Sequence, residues 1–238
     1  MQDDVERLVW EHLRVDKGEV ERIASLKQGT AEWLASRVLR LTVSNAGTVC
    51  GNNPYCKPAE YARELAGLAP PLDPESYDGK RRAAALQWGH DHEDKACEAY
   101  EMMFGCAVAH CGLVVDLERP WMGASPDGMV DEDGLLEIKC PVTQRIYTTM
   151  PPYYYDQIMA QMAVLGKKWC DFVVWTPSDM CVWRFDFNEP YWREFLLPRL
   201  EAFYHDAFLP LYVDAVVAGA ALPPAEMVKR RLAEPPRC

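Results

Sequence analysis

The chain has 238 residues, enough for one large core, and its 49% apolar and 26% charged content excludes a collagenous repeat, a charge-driven coil and a disordered chain. Lys and Arg number 25 against 36 Asp and Glu, so a net charge of −11 requires any polyanionic partner to meet a local basic track rather than the average surface. Nine cysteines without a C-x-x-C pair, a start (Met1-Gln2-Asp3-Asp4) without the basic and apolar run of a signal peptide, and no apolar stretch near the ~20 residues of a membrane span predict reduced thiols in an intracellular protein with no membrane partner.

Apolar residues at Val5, Leu8 and Val9, then Val20, Ile23 and Ala24, predict a helical pair from Asp3 to about Leu26, broken near Gly18. Thr30 is placed to cap a helix carrying Trp33, Leu34, Val38 and Leu41, and Ser44 to cap a second over Asn45 to Val49. A Pro-rich link runs from Gly67 to Pro74, after which Gly79 to Phe104 reads as one long helix closed by Gly105. The period then shortens. Val108 to Val115 and Leu135 to Lys139 predict strands on either side of a turn-rich stretch from Gly123 to Gly134. Tyr153 to Leu165 returns to helix, Cys170 to Thr176 and Cys181 to Phe187 predict a hairpin, and a helix from about Pro190 to Val217 precedes a Pro-rich tail with Lys229-Arg230-Arg231. This order predicts an α/β (α+β) fold, a central mixed β-sheet flanked by helices.

The chemistry concentrates between Gly123 and Pro141. Glu137 and Lys139 are two apart in a predicted strand, so both leave one face while Leu136 and Ile138 point the other way. Asp127 precedes a Gly-flanked turn that can fold it back beside Glu137, giving two oxygen ligands of the kind Mg²⁺ accepts, and Lys139 can then orient or deprotonate a metal-polarised water. Glu93 shares a helical stripe with Ala96, Cys97 and Tyr100, which predicts a carboxylate facing the core and in need of a cation. Gln157 and Gln161, one turn apart, fall among apolar neighbours and need a hydrogen-bonding partner there. His90 and His92 point about 200° apart on a helix, which argues against a zinc site. No GxxxxGK[ST] loop is present, so no nucleotide cofactor is expected.

Five blocks, in this order, resemble the lambda-exonuclease or YqaJ-type viral recombinase family of the PD-(D/E)XK nuclease superfamily. They are Gln28-Gly-Thr-Ala-Glu-Trp33-Leu-Ala-Ser-Arg37 with Leu41-Thr-Val-Ser44; Trp88-Gly with Glu93; Ser125-Pro-Asp127-Gly; Leu136-Glu-Ile-Lys139-Cys-Pro; and the Tyr-rich segment with Gln157. The resemblance runs from about Gln28 to Trp175 and implies a restriction-endonuclease-like core. Length and organisation predict one nuclease domain over 1–238, with a helical extension at 1–27, the catalytic core at 28–187 and a C-terminal helix and Pro-rich tail at 188–238. The resemblance further implies Asp127 and Glu137 as metal ligands joined by the Ile138 carbonyl, with Glu93 acting on metal-bound water. Lys139 would stand next to the attacking water, and Gln157 would position that lysine or the scissile phosphate. Arg37, Ser44 and Ser125 would hold a terminal 5′-phosphate, and Arg145 and Trp33 would touch DNA.

The activity so implied is Mg²⁺-dependent, or Mn²⁺-dependent, alkaline-type 5′-to-3′ exonuclease action on double-stranded DNA ends, leaving 3′ single-stranded tails for recombination. The implied partners are a single-strand annealing protein and further copies in a trimer, with Arg145 and Lys80 to Arg82 lining a channel and Trp10, Phe208, Leu211 and Val216 as interface candidates. A viral protein of this kind works in the host cytoplasm or nucleus. Two readings compete: a restriction-type or structure-specific endonuclease of the same superfamily, which has no need of a terminal-phosphate seat, and a catalytically inactive DNA-binding scaffold, which has no need of the full Asp127, Glu137, Lys139 set.

Overall fold

Capping chemistry sets most of the helix boundaries. In the computed structural model, which describes residues 1–70, 73 and 75–233, α1 (Gln2–Leu13) and α2 (Lys17–Ala24) are separated at Asp16, whose side chain accepts from the Glu19 amide at 2.8 Å. The break therefore comes before Gly18, which lies inside α2, because a carboxylate that satisfies an orphan amide starts a helix more decisively than a glycine ends one. Thr30 caps α3 (Ala31–Ser36) as expected. That helix stops sooner than the apolar spacing suggested: Leu39 takes a left-handed φ of 58° and Leu41 enters β1 (Leu41–Thr42). Ser44 lies in a 3₁₀ turn over Val43–Asn45 and does not cap α4 (Ala46–Val49), whose N-cap position is Asn45. A helix absent from the sequence reading, α5 (Pro58–Leu65), starts on Pro58 with the Glu60 carboxylate accepting from the Lys57 amide.

Ser76 caps α6 (Tyr77–Phe104), and Gly105, at φ 64°, closes it. The expected strand over Val108 to Val115 is two short strands in different sheets, β2 (Val108–Ala109) and β3 (Val114–Val115). There follow β4 (Met122–Ala124), β5 (Gly128–Val130), β6 (Gly134–Lys139), α7 (Pro152–Leu165), β7 (Trp169–Thr176) and β8 (Asp179–Asp186). A continuous helical run then passes through π-helical turns at Tyr191–Leu196 and Phe203–Phe208, which flank α8 (Leu197–Ala202) and precede α9 (Leu209–Val217). The segment read as a Pro-rich tail forms α10 (Pro224–Ala233), which packs against α3. Residues 71, 72 and 74 of the Pro-rich link, and Cys238, lie outside the described residues. The eight cysteines among the described residues are all free, and no described helix is long and apolar enough to cross a membrane.

The strands form a three-stranded sheet in the order β1-β4-β3 and a five-stranded mixed sheet in the order β2-β5-β6-β7-β8. Its one parallel pair, β6 with β7, is joined by α7 as a crossover helix. Side-chain alternation sends Leu135 into the main core beneath α7, with Ile158, Met159, Phe172 and the C-terminal helical run, while Leu136 and Ile138 meet Ala96, Cys97 and Tyr100 of α6. Phe208 is fully buried in the main core and so is withdrawn as an interface candidate; Trp10, stacked at 5.7 Å on His205, Leu211 and Val216 are partly buried against the same core.

Two close approaches hold the functional elements together. A Cβ on Gly47 would lie 2.3 Å from Tyr153 Cβ and 2.5 Å from its Cα, so only glycine allows α4 to seat on α7. The turn from α3 to β1 is pinned by Arg40, a buried cation whose guanidinium donates to the carbonyls of Leu13, Ser36 and Pro120. Burial lowers its pKa to about 10. Tyr204 donates to Leu39 O at 2.9 Å and His12 Nε2 lies 3.0 Å from Val38 O. Arg37 is thereby presented from a rigid corner.

Candidate active site

Antiparallel pairing of β5 with β6 sets Gly128 opposite Leu136, which brings Asp127 alongside Glu137 as the turn chemistry required. Asp127 Oδ2 accepts from the Ile138 amide at 2.6 Å, locking this half-buried carboxylate against the strand. Glu137 is 2% exposed, so its charge must be met by neighbours. Lys139 Nζ donates to Oε1 of Glu137, Gln157 Nε2 donates to the same oxygen at 2.6 Å, and Gln161 Nε2 donates to Oε2 at 2.7 Å. The two glutamines stand one turn apart on α7, and the parallel seating of β6 and β7 beneath that helix aims both at Glu137. Tyr154, on the same face, lies with its ring 4.9 Å from Lys139 Nζ.

The electrostatics call for additional positive charge. Burial, then the charges of Glu137 and Glu93, push the Asp127 carboxyl well above its ordinary value. Burial alone would lower the Lys139 ammonium, but Glu137 and Asp127 outweigh it and raise its pKa. Lys139 is therefore a firmly protonated donor here. Glu93 departs from expectation: Ala96, Cys97 and Tyr100 are buried as predicted, but Glu93 itself is exposed at the cleft mouth, because α6 has no buried residue between Lys80 and Lys95 and its buried stripe begins only at Ala96. Its carboxyl is pushed upward by the protein crowding its inner side and by Glu137. A cleft of about 460 Å³ opens between α6 and α7, lined by Arg82, Leu86, Gly89, His90, Glu93, Ile138, Lys139, Cys140 and Tyr154 among others.

Three carboxylates whose charges oppose one another around one lysine fit a divalent cation. Among the described residues no three His, Cys, Asp or Glu side chains form a ready-made cage. Such an ion would take Asp127, Glu137 and the Ile138 carbonyl, with oxygens of water or phosphate completing the shell, in the way Mg²⁺ is bound by one or two carboxylates. His92 is occupied elsewhere, stacked at 3.9 Å on Trp88 with Nδ1 2.8 Å from the Trp88 carbonyl.

A second polar group forms where β1 and β4 run side by side. Their parallel register pairs Thr42 with Gly123, so Ser44 and Ser125 emerge beyond the same end of the pair. Arg37 stacks over Trp33 at 4.2 Å and donates to Thr42 Oγ1 at 3.2 Å; Ser44 and Asn45 donate to the same oxygen. Ser125 Oγ and Trp33 Nε1 are buried, and neither has a hydrogen-bond partner among the described residues. Gln28 Nε2 bridges the Cys111 and Pro126 carbonyls at 3.0 Å each and so fixes the Ser125–Asp127 turn. Arg145 is exposed in the loop after β6, and Lys80 pairs with Glu75.

The sequence reading missed Thr42, Asn45 and Tyr154. Tyr154 was visible in the Tyr-rich segment and Thr42 in the Leu41–Ser44 block, whereas Asn45 carries no signal beyond that of a helix start.

Residues 32–168 match the family model of the YqaJ-like viral recombinase domain. The chain is 24% identical over 172 residues to an uncharacterized protein of Acanthamoeba polyphaga mimivirus, a match spanning 65% of this chain and 30% of that protein's length. The alkaline exonuclease LHK-Exo of Laribacter hongkongensis, also solved in complex with dAMP, is similar in structure with a TM-score of 0.66 and 28% identity, over 83% of this chain and 100% of that one. A phage-related exonuclease of Haemophilus somnus 129PT shares the fold at a TM-score of 0.50 and 13% identity, over 76% of this chain and 96% of that one.

Proposed function

The chain belongs to the YqaJ-like viral recombinase family, and from that premise we propose that this nuclease is a Mg²⁺- or Mn²⁺-dependent exonuclease that degrades double-stranded DNA from a 5′ end and leaves a 3′ single-stranded tail. The observation that carries this is the convergence of Asp127, Glu137, Lys139 and Gln157 at the end of β6, beside a cleft. A divalent ion held by Asp127, Glu137 and the Ile138 carbonyl would supply charge neutralisation on the phosphoryl group and acidify water. The chain's own residues do the rest. Lys139, fixed as an ammonium by Glu137, orients the attacking water and meets negative charge developing on the phosphoryl oxygens. Gln157 and Gln161 keep the Glu137 carboxylate from rotating, and Glu93, at the cleft mouth, accepts a proton from water entering the site.

The second group supports the direction of digestion proposed here. Arg37, Ser44 and Ser125 seat a terminal 5′-phosphate, since a guanidinium and hydroxyl donors favour a dianion, and Arg145 contacts the duplex; Trp33, expected to touch DNA, is instead 8% exposed beneath the Arg37 guanidinium and backs the seat. We extend the proposal to an intracellular homotrimer encircling DNA and to a single-strand annealing protein that receives the tail. A chain at −11 gains from pooling the basic tracks of several copies, and light scattering of the purified protein tests the stoichiometry.

Digestion of linear duplexes labelled at either end, with and without a 5′-phosphate, tests the function. Loss of the 5′-labelled strand, silenced by EDTA and faster on the phosphorylated end, is the expected result, and Arg37→Ala should erase the phosphate preference. Cleavage of closed circles at the same rate would instead establish the endonuclease reading.

A further inference from the structure

Resting on the end-recognition reading above, the Thr42 hydroxyl is the informative group. Three donors converge on its oxygen: Arg37 Nη2 at 3.2 Å, Asn45 Nδ2 at 3.3 Å and Ser44 Oγ at 3.4 Å. A hydroxyl oxygen has two lone pairs, and good bonds to it run about 2.5 to 3.2 Å, so three donors share one neutral acceptor at or beyond the comfortable limit. Thr42 is itself 7% exposed and hydrogen-bonds the buried Tyr61, so it cannot move to serve them better. Asn45 adds a second anomaly. It occupies the N-cap position of α4, where an asparagine side chain ordinarily accepts from the helix, yet it makes no cap bond and turns its amide to Thr42. Ser44 is exposed and Asn45 half-buried, so both are within reach of a ligand, and Ser125 Oγ waits without a partner beyond the neighbouring strand.

We propose that Asn45 is a specificity-determining residue for the DNA end: its amide, with Arg37 and Ser44, turns from Thr42 to the oxygens of a terminal phosphate monoester, for which the Thr42 hydroxyl stands in when no end is bound. The number of donors matches the chemistry. A terminal monoester presents three non-bridging oxygens and up to two charges, whereas an internal diester presents two such oxygens and one charge. Three convergent donors therefore favour the end over the interior of the strand. The amide adds direction without adding a second full cation that would also attract internal phosphates.

The test compares the full-length protein with Asn45→Asp and Asn45→Ser on matched linear duplexes bearing a 5′-phosphate or a 5′-hydroxyl, reading the ratio of kcat/KM for the two ends. The unaltered protein should favour the phosphate by about tenfold or more, as expected for charge-assisted bonds. Asn45→Asp, nearly isosteric but anionic, should bring the ratio to about one or below, chiefly through KM. Asn45→Ser, shorter but still able to donate, should fall between. Melting curves check that each variant folds, and Asn45→Ser decides the matter if Asn45→Asp does not. A phosphate preference in the unaltered protein that persists in both variants overturns the role of Asn45 and leaves Arg37 and Ser44 as the seat. Equal rates on the two ends with the unaltered protein overturn the end-recognition reading together with this inference.

Discussion

The carboxylate of Glu137 and the hydroxyl of Thr42 each gather three donors, but the bonds differ in kind. At Glu137 the two glutamine amides stand at 2.6 and 2.7 Å and the third donor is a lysine ammonium. At Thr42 every donor stands at 3.2 Å or more. An ionised carboxylate offers about four lone-pair sites and shortens bonds through its charge, so it accommodates three donors without competition; a neutral hydroxyl does not. The group around Glu137 is thus assembled in the free protein, whereas the proposed end pocket would be completed by the anion it is proposed to bind.

The largest effect should come from Lys139→Ala. Removing a preorganised donor at developing charge costs about 10² to 10³ in kcat, and because Lys139 also meets the charge of the buried Glu137, a melting curve checks that the variant is folded at the assay temperature. Near-normal turnover in this variant would show that the active centre lies elsewhere.

Gln161→Leu comes next. It strips one donor from a carboxylate that is 2% exposed, and loss of a residue that orients a ligand typically weakens metal binding about 10- to 100-fold. Calorimetric titration of Mn²⁺ into the folded protein reads this without reference to turnover, and an unchanged affinity would mean that Glu137 needs no holding from α7.

Gly47→Ala probes the contact that keeps the two groups in register. The added methyl meets the Tyr153 backbone of α7, and overpacking of this kind costs about 1 to 3 kcal/mol. Both the phosphate preference and turnover should decline together with stability. A change confined to one group would show that α4 and α7 do not couple them.

The smallest effect concerns the corner that presents Arg37. Burial lowers the His12 pKa, and the ring lies beside the Val38 carbonyl. A histidine depressed in the folded state contributes stability above its unfolded pKa of about 6.5, and that contribution is lost as pH falls through the folded value. Thermal melts between pH 7.5 and 5 should show a slope that His12→Asn flattens, and equal slopes would remove the ring from the account.

Legibility in the sequence followed contact range. Glu137 and Lys139 were readable because a period of two settles which face they share, and Asp127 because a short hairpin can fold it back beside Glu137. Thr30 and Gly105 marked helix ends because capping is local chemistry. Gln161 was legible as a buried amide but not as the second hand on Glu137, since the rotation of α7 over β6 is set by packing with β7 and the C-terminal helices. Glu93 misled because a helical stripe reports which residues share a side and not where along the helix burial begins.

The sequence by itself determined the chemical inventory and its local geometry: the paired carboxylates, the lysine two residues on, the Thr30 cap and the strand alternation. Only the tertiary structure decided that Val108 to Val115 divides between two sheets, that Pro224–Ala233 is a helix covering α3, and that Arg37, Ser44 and Asn45 meet at Thr42 on a strand paired to the one leading to Ser125. Backbone periodicity encodes the face a residue presents. What that face meets depends on the register of distant strands and on close approaches such as Gly47 on Tyr153, which no local pattern specifies.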